Sequence, residues 1–560
     1  MIRDTIVSLW RPGALLAGTA LAVVLAGATE KAVAQPSGTL TVAWPDVYSF
    51  VGIPSKNGGR QGERLVWLGV HETAQRINAD LEVVPHLAES WTISDDGLVH
   101  TLKLREGVQF HGGWGEMTAE DWKWTAEDQW SPTSNHGGQF IARTNLKEVR
   151  VVDKYTVEFV LERPNAFFQE YYGQIRDDVA LAVYSENRVE EMGPEAATTE
   201  LPDGGTGPYQ VESWTADTEI VLKAFPDYWG EQPEYETVRV VQIAEPSTVL
   251  AALETGAVDA AIVPVTARER VEAAGLEVES AGVGQARIIF TGQFCWKEFQ
   301  GEEIPPRPGY DPSKPWVGDC DDPESLERAK QVRHAMSMAI DRQALVDAIV
   351  GGHGRPAYVH MLIGYFADRY MKPEWVIPYD PEKAKQMLAD AGYPDGFSFE
   401  FSCDTTGHTL LTEFCEATAG MWSNIGLQPQ IRRMAPDARR QALVERSMSS
   451  VRLEVETGVT PIPEARGFGE VPTAAFNSGY EMPGLLDLVN AAAVAGSREE
   501  LDQIREQQYA WAFDQHLEVP MVEFEEIYAY NPEKIGAWPR TPFTGHSEAL
   551  MDFETIKKPQ

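Results

Sequence analysis

Basic side chains are scarce: 47 lysines and arginines stand against 85 aspartates and glutamates, a formal charge of −38 over 560 residues. A nucleic-acid binder needs clustered Lys and Arg to displace the counterions of phosphate, so that class is excluded. Adhesion to anionic lipid is disfavoured for the same reason. Cysteine is scarcer still, with four in the chain and no CxxC spacing, which argues against a structural zinc site. No apolar run beyond residue 28 approaches the ~20 residues a membrane-crossing helix needs. HExxH, GxSxG, P-loop and protein-kinase signatures are all missing, and the eleven histidines are scattered. Neither an internal repeat nor a low-complexity tract is present.

What is there reads as a large folded body. The 43% apolar fraction is that of a globular protein and excludes a mainly disordered chain. The length predicts about three structural units, or one large bilobal body. Residues 13–28, GALLAGTALAVVLAGA, follow Arg3 and Arg11 and precede Ala32-Val33-Ala34, a small-x-small cleavage site. Residues 1–34 therefore have the three regions of a secretory signal peptide. With no Cys at the cleavage site, a lipid anchor is not expected.

Export changes how the cysteines read, because an oxidising compartment permits disulfides. Cys295 and Cys320 bracket a Pro-rich stretch that cannot stabilise itself as helix or strand, and Cys403 and Cys415 bracket a shorter segment. The local pairs Cys295–Cys320 and Cys403–Cys415 are favoured, although four cysteines also allow two other pairings. Asp319, Asp321, Asp322 and Glu324 lack the glycine and distal Glu of a calcium loop, so a solvated acidic loop is expected there and no metal or cofactor.

Mixed α and β patterns alternate along the chain. Residues 39–44, 98–105, 155–162 and 219–225 read as strands. Asp380 as N-cap, Pro381 at the first helical position and Gly392 beyond the end bracket an apolar stripe of Ala384, Met387, Leu388 and Ala391. Val332, Ala335, Met336, Ala339 and Ile340 form a second stripe, with Arg333 and Asp341 expected to make local polar contacts near helix ends. Thr118 and Asp121 resemble a capping box. Leu87, Trp91, Leu102 and Leu104 are expected in the core, and Asp95-Asp96-Gly97 in a turn.

Five blocks then stand out in order. They are PHLAESWTISDDGLVHTLKLREGVQFHGG with MTAEDWKWT from 85, GTGPYQVESW with PDYWG from 205, AALETGAVDAAIV from 251, VRHAMSMAIDRQALVDAIVGGHGRPA from 332 and YDPEKAKQMLADAGYPDGF from 379. Together they resemble the family 5 extracellular solute-binding proteins, the oligopeptide-, dipeptide- and nickel-binding components of ABC importers. The resemblance implies an α/β, type II-like bilobal clamp of the periplasmic-binding-protein kind, with a subdomain inserted in the N-terminal lobe. By analogy, residues 35–75, 205–282 and 516–560 make lobe Ia, residues 76–204 the inserted Ib unit, and 283–515 lobe II. Crossings near 282 and 515 would be hinges. The implied protein is periplasmic and monomeric, performs no chemistry, and passes its solute to permease subunits in the inner membrane.

One departure bears on the solute. Peptide binders of the family usually carry a Trp-x-x-Asp-like segment shortly before the block matching FNSGYEMPGLLDLVNAA at 476–492, and its Asp holds the ligand's α-amine. Here residues 447–475 contain neither Trp nor Asp. Glu454 or Glu456 would substitute, since a carboxylate one methylene longer still pairs with an ammonium. Glu464 and Glu470 lie farther along. The resemblance places further cleft candidates at Tyr48 and Phe50 after the first strand, and at Gln293, Phe294 and Trp296 at the entry to the second lobe. Aromatics there would stack on peptide planes, sugar faces or heterocycles. The expected solute is a peptide or peptide-like molecule. An oligosaccharide or opine on the same fold is the alternative, and an exported hydrolase a third reading.

Overall fold

A computed structural model of the chain describes residues 35–560 apart from 46, 48–52, 57–68, 78–82, 132–133, 135–144, 166–167, 169–171, 174–180, 202, 300, 361, 363–366, 368, 406–407, 409, 458–477, 496–497, 539–552 and 554. The signal-peptide reading of 1–34 and the candidates Tyr48, Phe50, Glu464 and Glu470 lie outside the described residues.

Strand β1 (Thr39–Trp44) belongs to the largest sheet. A short pair follows, β2 (Gln75–Ile77) and β3 (Val83–Pro85). Next come β4 (Ala88–Ile93), β5 (Val99–Leu104), β6 (Leu146–Asp153) and β7 (Thr156–Leu161), a separate antiparallel sheet ordered β4-β5-β7-β6. The chain returns to the large sheet with β8 (Tyr209–Thr215), β9 (Glu219–Ala224), β10 (Thr237–Gln242), β11 (Ala260–Val263) and β12 (Glu277–Phe290). A hairpin of β13 (Glu298–Phe299) and β14 (Glu302–Glu303) precedes β15 (Gly354–Pro356), β16 (Ser398–Asp404), β17 (Gln428–Met434), β18 (Val451–Thr457) and β19 (Glu518–Tyr530).

The large sheet runs β17-β16-β18-β12-β19-β11-β1-β10-β9-β8, with β15 also on β19. Its two long central strands join everything else. Strand β12 pairs with β18 only through Gly284–Phe290, but with β19 from Glu277 to Ile289. Strand β19 pairs with β11 through Ile527–Tyr530 and with β15 through Val522–Phe524. One end of each long strand thus pairs within one half of the sheet and the other end within the other half, which is consistent with a bilobal clamp. Register shifts between Ser280 and Gly282 and between Ala286 and Arg287 break the ladder at the passage, and such bulges bend a strand. Gly284 is required there: a Cβ on it would lie 2.7 Å from the Phe524 ring across the pair.

Local sequence accounts for much of this. Strands cover the four stretches read from alternation, and in β5 and β7 the inward residues Leu102, Leu104, Val157 and Phe159 are fully buried with Trp122 of the helix Ala119–Gln129. That helix starts with a capping box, Thr118 N–H donating to Asp121 Oδ2 at 2.8 Å. Asp380 accepts from Lys383 N at 2.9 Å above Pro381, and Gly392 takes φ +99° past the end. Leu87 is buried as expected, whereas Trp91 is only half-buried at the edge of that core.

Both favoured disulfides are formed, Cys295–Cys320 with Cα atoms 5.3 Å apart and Cys403–Cys415 with 6.5 Å. In the acidic loop, Asp322 caps the helix Pro323–Met338 and Asp321 pairs with Lys297. Among the described residues no cluster of His, Cys, Asp or Glu is disposed to hold a metal. One expectation is corrected. Arg333 makes long-range contacts in place of the local ones expected, although one acceptor, Gln515, ends the helix Arg498–Gln515. It is fully buried, and it donates to the Gln515 carbonyl (2.9 Å), Gln293 Oε1 (2.9 Å) and the Trp316 carbonyl (2.6 Å), tying three distant segments together. Its pattern position on a stripe flank could not reveal such long-range acceptors. Asp341 behaves as read, capping the helix Arg342–Ile349 through Ala344 N at 3.0 Å.

Candidate functional site

Side chains alternate across a strand, and in β18 this separates two chemistries. Val451 and Leu453 enter the large hydrophobic core, while Arg452 and Glu454 occupy the other face. Opposite them on β12, Arg287 faces Glu454 and Ile289 faces Arg452 in register. Arg287 Nη2 donates to Glu454 Oε2 at 2.7 Å, and its Nε lies 3.1 Å from Glu518 Oε2 on β19. Glu454 Oε1 is 3.2 Å from Arg452 Nη1 and 3.8 Å from Arg439 Nη1. Arg439 Nε shares its N–H between the two oxygens of Asp404, at 2.9 and 3.0 Å. Glu518 also meets His360 Nδ1 at 3.1 Å and accepts from Tyr480 OH at 3.0 Å.

Arg287, Arg452 and Glu518 are buried, whereas Glu454, Arg439 and Asp404 are partly exposed. Burial raises the Glu454 carboxyl pKa, but Arg452, Arg287 and Arg439 outweigh it and hold the group well below the ordinary value. For Glu518, burial is likewise overcome, chiefly by His360 and Arg287, and the pKa falls to about 2. Burial dominates at Asp404, whose pKa rises despite Arg439 and Arg452. Three guanidinium groups and three carboxylates thus share one neighbourhood, and the strand leading out of it continues toward residue 458.

A second layer lies along the entry to the second lobe. Gln293 is buried and its Oε1 accepts from Arg333; its carbonyl accepts from Glu481 N at 2.9 Å. Phe294 is buried and bridged to Glu481 in parallel, and Cys295 N donates to the Glu481 carbonyl at 2.8 Å. Glu481 is itself fully buried between Arg307 Nε and Arg446 Nε, each at 2.9 Å. Trp296 is half-buried and sets its ring edge-on to Phe299, centroids 5.4 Å apart.

The first two sequence blocks converge elsewhere, on Glu72. Its oxygens accept from Thr206 Oγ1 (2.8 Å), Tyr228 OH (2.9 Å) and Trp229 Nε1 (2.9 Å), and His86 Nε2 lies at 2.8 Å. Burial pushes this carboxyl up, but the paired His86, with Arg76 and Trp229, brings it down to about 2. Arg105 lies over the Trp229 ring, 4.5 Å from its centroid. Nearby, a Cβ on Gly205 would fall 2.0 Å from the Val70 carbonyl oxygen, so only glycine lets the chain pass there. Four partners saturate Glu72, which makes it a structural tie and leaves it no capacity to act as a base.

A family model for bacterial extracellular solute-binding proteins, family 5 Middle, matches residues 82–455. The chain belongs to this family. Among curated relatives, the glutathione-binding protein GsiB of Salmonella typhi is 27% identical over 489 residues, covering 84% of this chain and 86% of its own. Two solved structures share the fold: DppA from Helicobacter pylori in complex with peptide STSA (TM-score 0.75, 21% identity, 94% of this chain and 99% of that one), and AgaA from A. tumefacien R10 with agropinic acid (0.76, 19%, 93% and 99%).

In this solute-binding protein the sequence candidates are dispersed among three situations. Gln293 and Phe294 are packed into backbone pairing, Trp296 leans on the core of the four-stranded unit, and Glu454 is enclosed by arginines. Glu456 lies one same-face position farther along β18, opposite Gln285, and its side chain is outside the described residues. Sequence reasoning missed Arg287, Arg439, Glu518 and Glu72. Arg452 carried a signal, since it shares a face with Glu454 two residues away.

Proposed function

We propose that this protein is the periplasmic solute-capturing component of an ABC importer, and that its solute is a small peptide or peptide-like molecule of the kind glutathione represents. The observation carrying this reading is the joining of two lobes through β12 and β19, with a charged layer of Arg287, Glu454, Arg452 and Glu518 at the passage. A clamp hinged on two strands closes when its ligand binds the closed arrangement better than the open one. The closed form would then deliver the solute to permease subunits in the inner membrane. GsiB and DppA, named for glutathione and found with a peptide, support the solute class. The lobe division proposed from the sequence, with crossings near 282 and 515, is kept as part of this reading; the exchange of β15 for β11 as partner of β19 between Phe524 and Ile527 supports a crossing on that strand.

The contacts at the α-amine need a carboxylate with charge to spare. Glu454 shares its charge among three arginines, and the amine anchor is proposed at Glu456, the other carboxylate the sequence reading offered on that strand, with Tyr48, Phe50 and Trp296 as apolar walls. A second reading is an opine as solute, supported by AgaA, which shares the fold and was found with agropinic acid. Calorimetric titration of residues 35–560 with glutathione, short peptides and opines tests the proposal. Saturable binding without turnover is expected; turnover of a bound compound, or no binding across the panel, would overturn it.

A further inference from the structure

The hydrophobic core of the four-stranded unit is not closed by that unit alone. The cluster that contains Leu102, Phe159 and Trp122 also contains Phe299, Leu485 and Val489, all buried, from segments that follow the β12 crossing. Half-buried Trp296 and Trp511 pack against the same cluster. The four-stranded sheet shares no strand with the large sheet, so a clamp that opens on β12 and β19 would draw this seam apart.

The far side of the seam is built as a rigid platform. Phe299 sits in the β13–β14 hairpin, which lies inside the loop closed by Cys295–Cys320. Leu485 and Val489 are one turn apart on the helix Leu485–Ala493, so they share a face. Glu481 welds the hairpin to that helix: its backbone pairs with Gln293 and Cys295, and its carboxylate is fixed by Arg307 and Arg446. Gly484, at φ +112°, turns the chain from Glu481 into the helix.

We propose that this platform is a strap, an apolar closing contact that holds the second lobe against the inserted subdomain before any solute arrives. Ligand then needs to supply only part of the closing free energy, and the fraction of closed clamp sets the apparent affinity. The inference rests on the two-lobe fold and is independent of which solute is carried.

The test is small-angle scattering of ligand-free protein, residues 35–560, as wild type and as Leu485→Ser/Val489→Ser, with near-ultraviolet circular dichroism reporting the native core. A larger radius of gyration in the variant, with native dichroism retained, is expected. An unchanged radius overturns the proposal, even if the variant melts earlier, because the seam would then be fixed core between immobile parts. Should the double variant not fold, Val489→Thr keeps the side chain's shape, places one hydroxyl in the seam and is read by the same two outcomes.

Discussion

Arg287 donates to Glu454 at 2.7 Å across the β12–β18 pair, two side chains 167 residues apart that meet on the face opposite the large core. Arg287 is buried at 2% exposed and Glu454 partly so at 22%; breaking a fully buried pair costs about 3–5 kcal/mol, and the partial exposure of Glu454 puts this pair toward the lower end of that range. Glu454→Gln is therefore expected to lower stability by that order in denaturant titration, and Arg287→Met/Glu454→Met to lose less than the two single changes combined. Additive losses would show that the two groups are not coupled.

Stability should fall on acidification in two stages. His71 and His516 are held at about 3 and His111 at about 4, in each case because burial disfavours the charged ring. Their folded pKa values lie below the unfolded value of 6.5, so only the unfolded chain gains protons as pH drops past 6.5. Each such group removes up to about 1.4 kcal/mol per pH unit until its folded pKa is reached. Glu72 and Glu518, at about 2 when folded and 4.5 unfolded, contribute stability present above pH 4.5 and lost between about 4.5 and 2. Urea titrations from pH 8 to 3 should show the first decline beginning near 6.5. Glu518→Gln, destabilised throughout, should have a flatter limb below 4.5; a parallel limb would mean that Glu518 titrates normally.

The disulfides close loops of 25 and 12 residues. In the chain-entropy model each contributes about 3 kcal/mol by restricting the unfolded chain. The oxidised mature protein should show no reactive thiol in denaturant. Cys295→Ser/Cys320→Ser should melt earlier than wild type; two titratable thiols in the wild type would contradict the pairing.

Elements governed by near neighbours were legible in the sequence. The caps at Thr118 and Asp380, the four alternating strands and the two local disulfides each depend on residues within about 25 positions. Ties made over long separations were not. Nothing in the alternation of β12 says that Arg287 faces Glu454, and nothing in the blocks around 86, 206 and 228 says that their polar side chains converge on Glu72. The reading that Glu454 and Glu456 share a face follows from strand geometry alone. That Glu454 meets three guanidinium groups depends on sheet order, which composition does not encode.

That difference separates the two glutamates experimentally. An ammonium left unpaired in a closed cleft costs several kcal/mol, so a peptide's free amine requires a carboxylate whose charge is not already neutralised. Glu454 has Arg287 at 2.7 Å, Arg452 at 3.2 Å and Arg439 at 3.8 Å, so its charge is already paired. If Glu456 is the anchor, Glu456→Gln should weaken peptide binding at least tenfold, about 1.4 kcal/mol. Acetylating the peptide's amine should cause a loss of similar size in the wild type and almost none in the variant. Full affinity for the acetylated peptide would sink the amine anchor. The opine reading would then be the better one, and an opine should bind more tightly than any peptide.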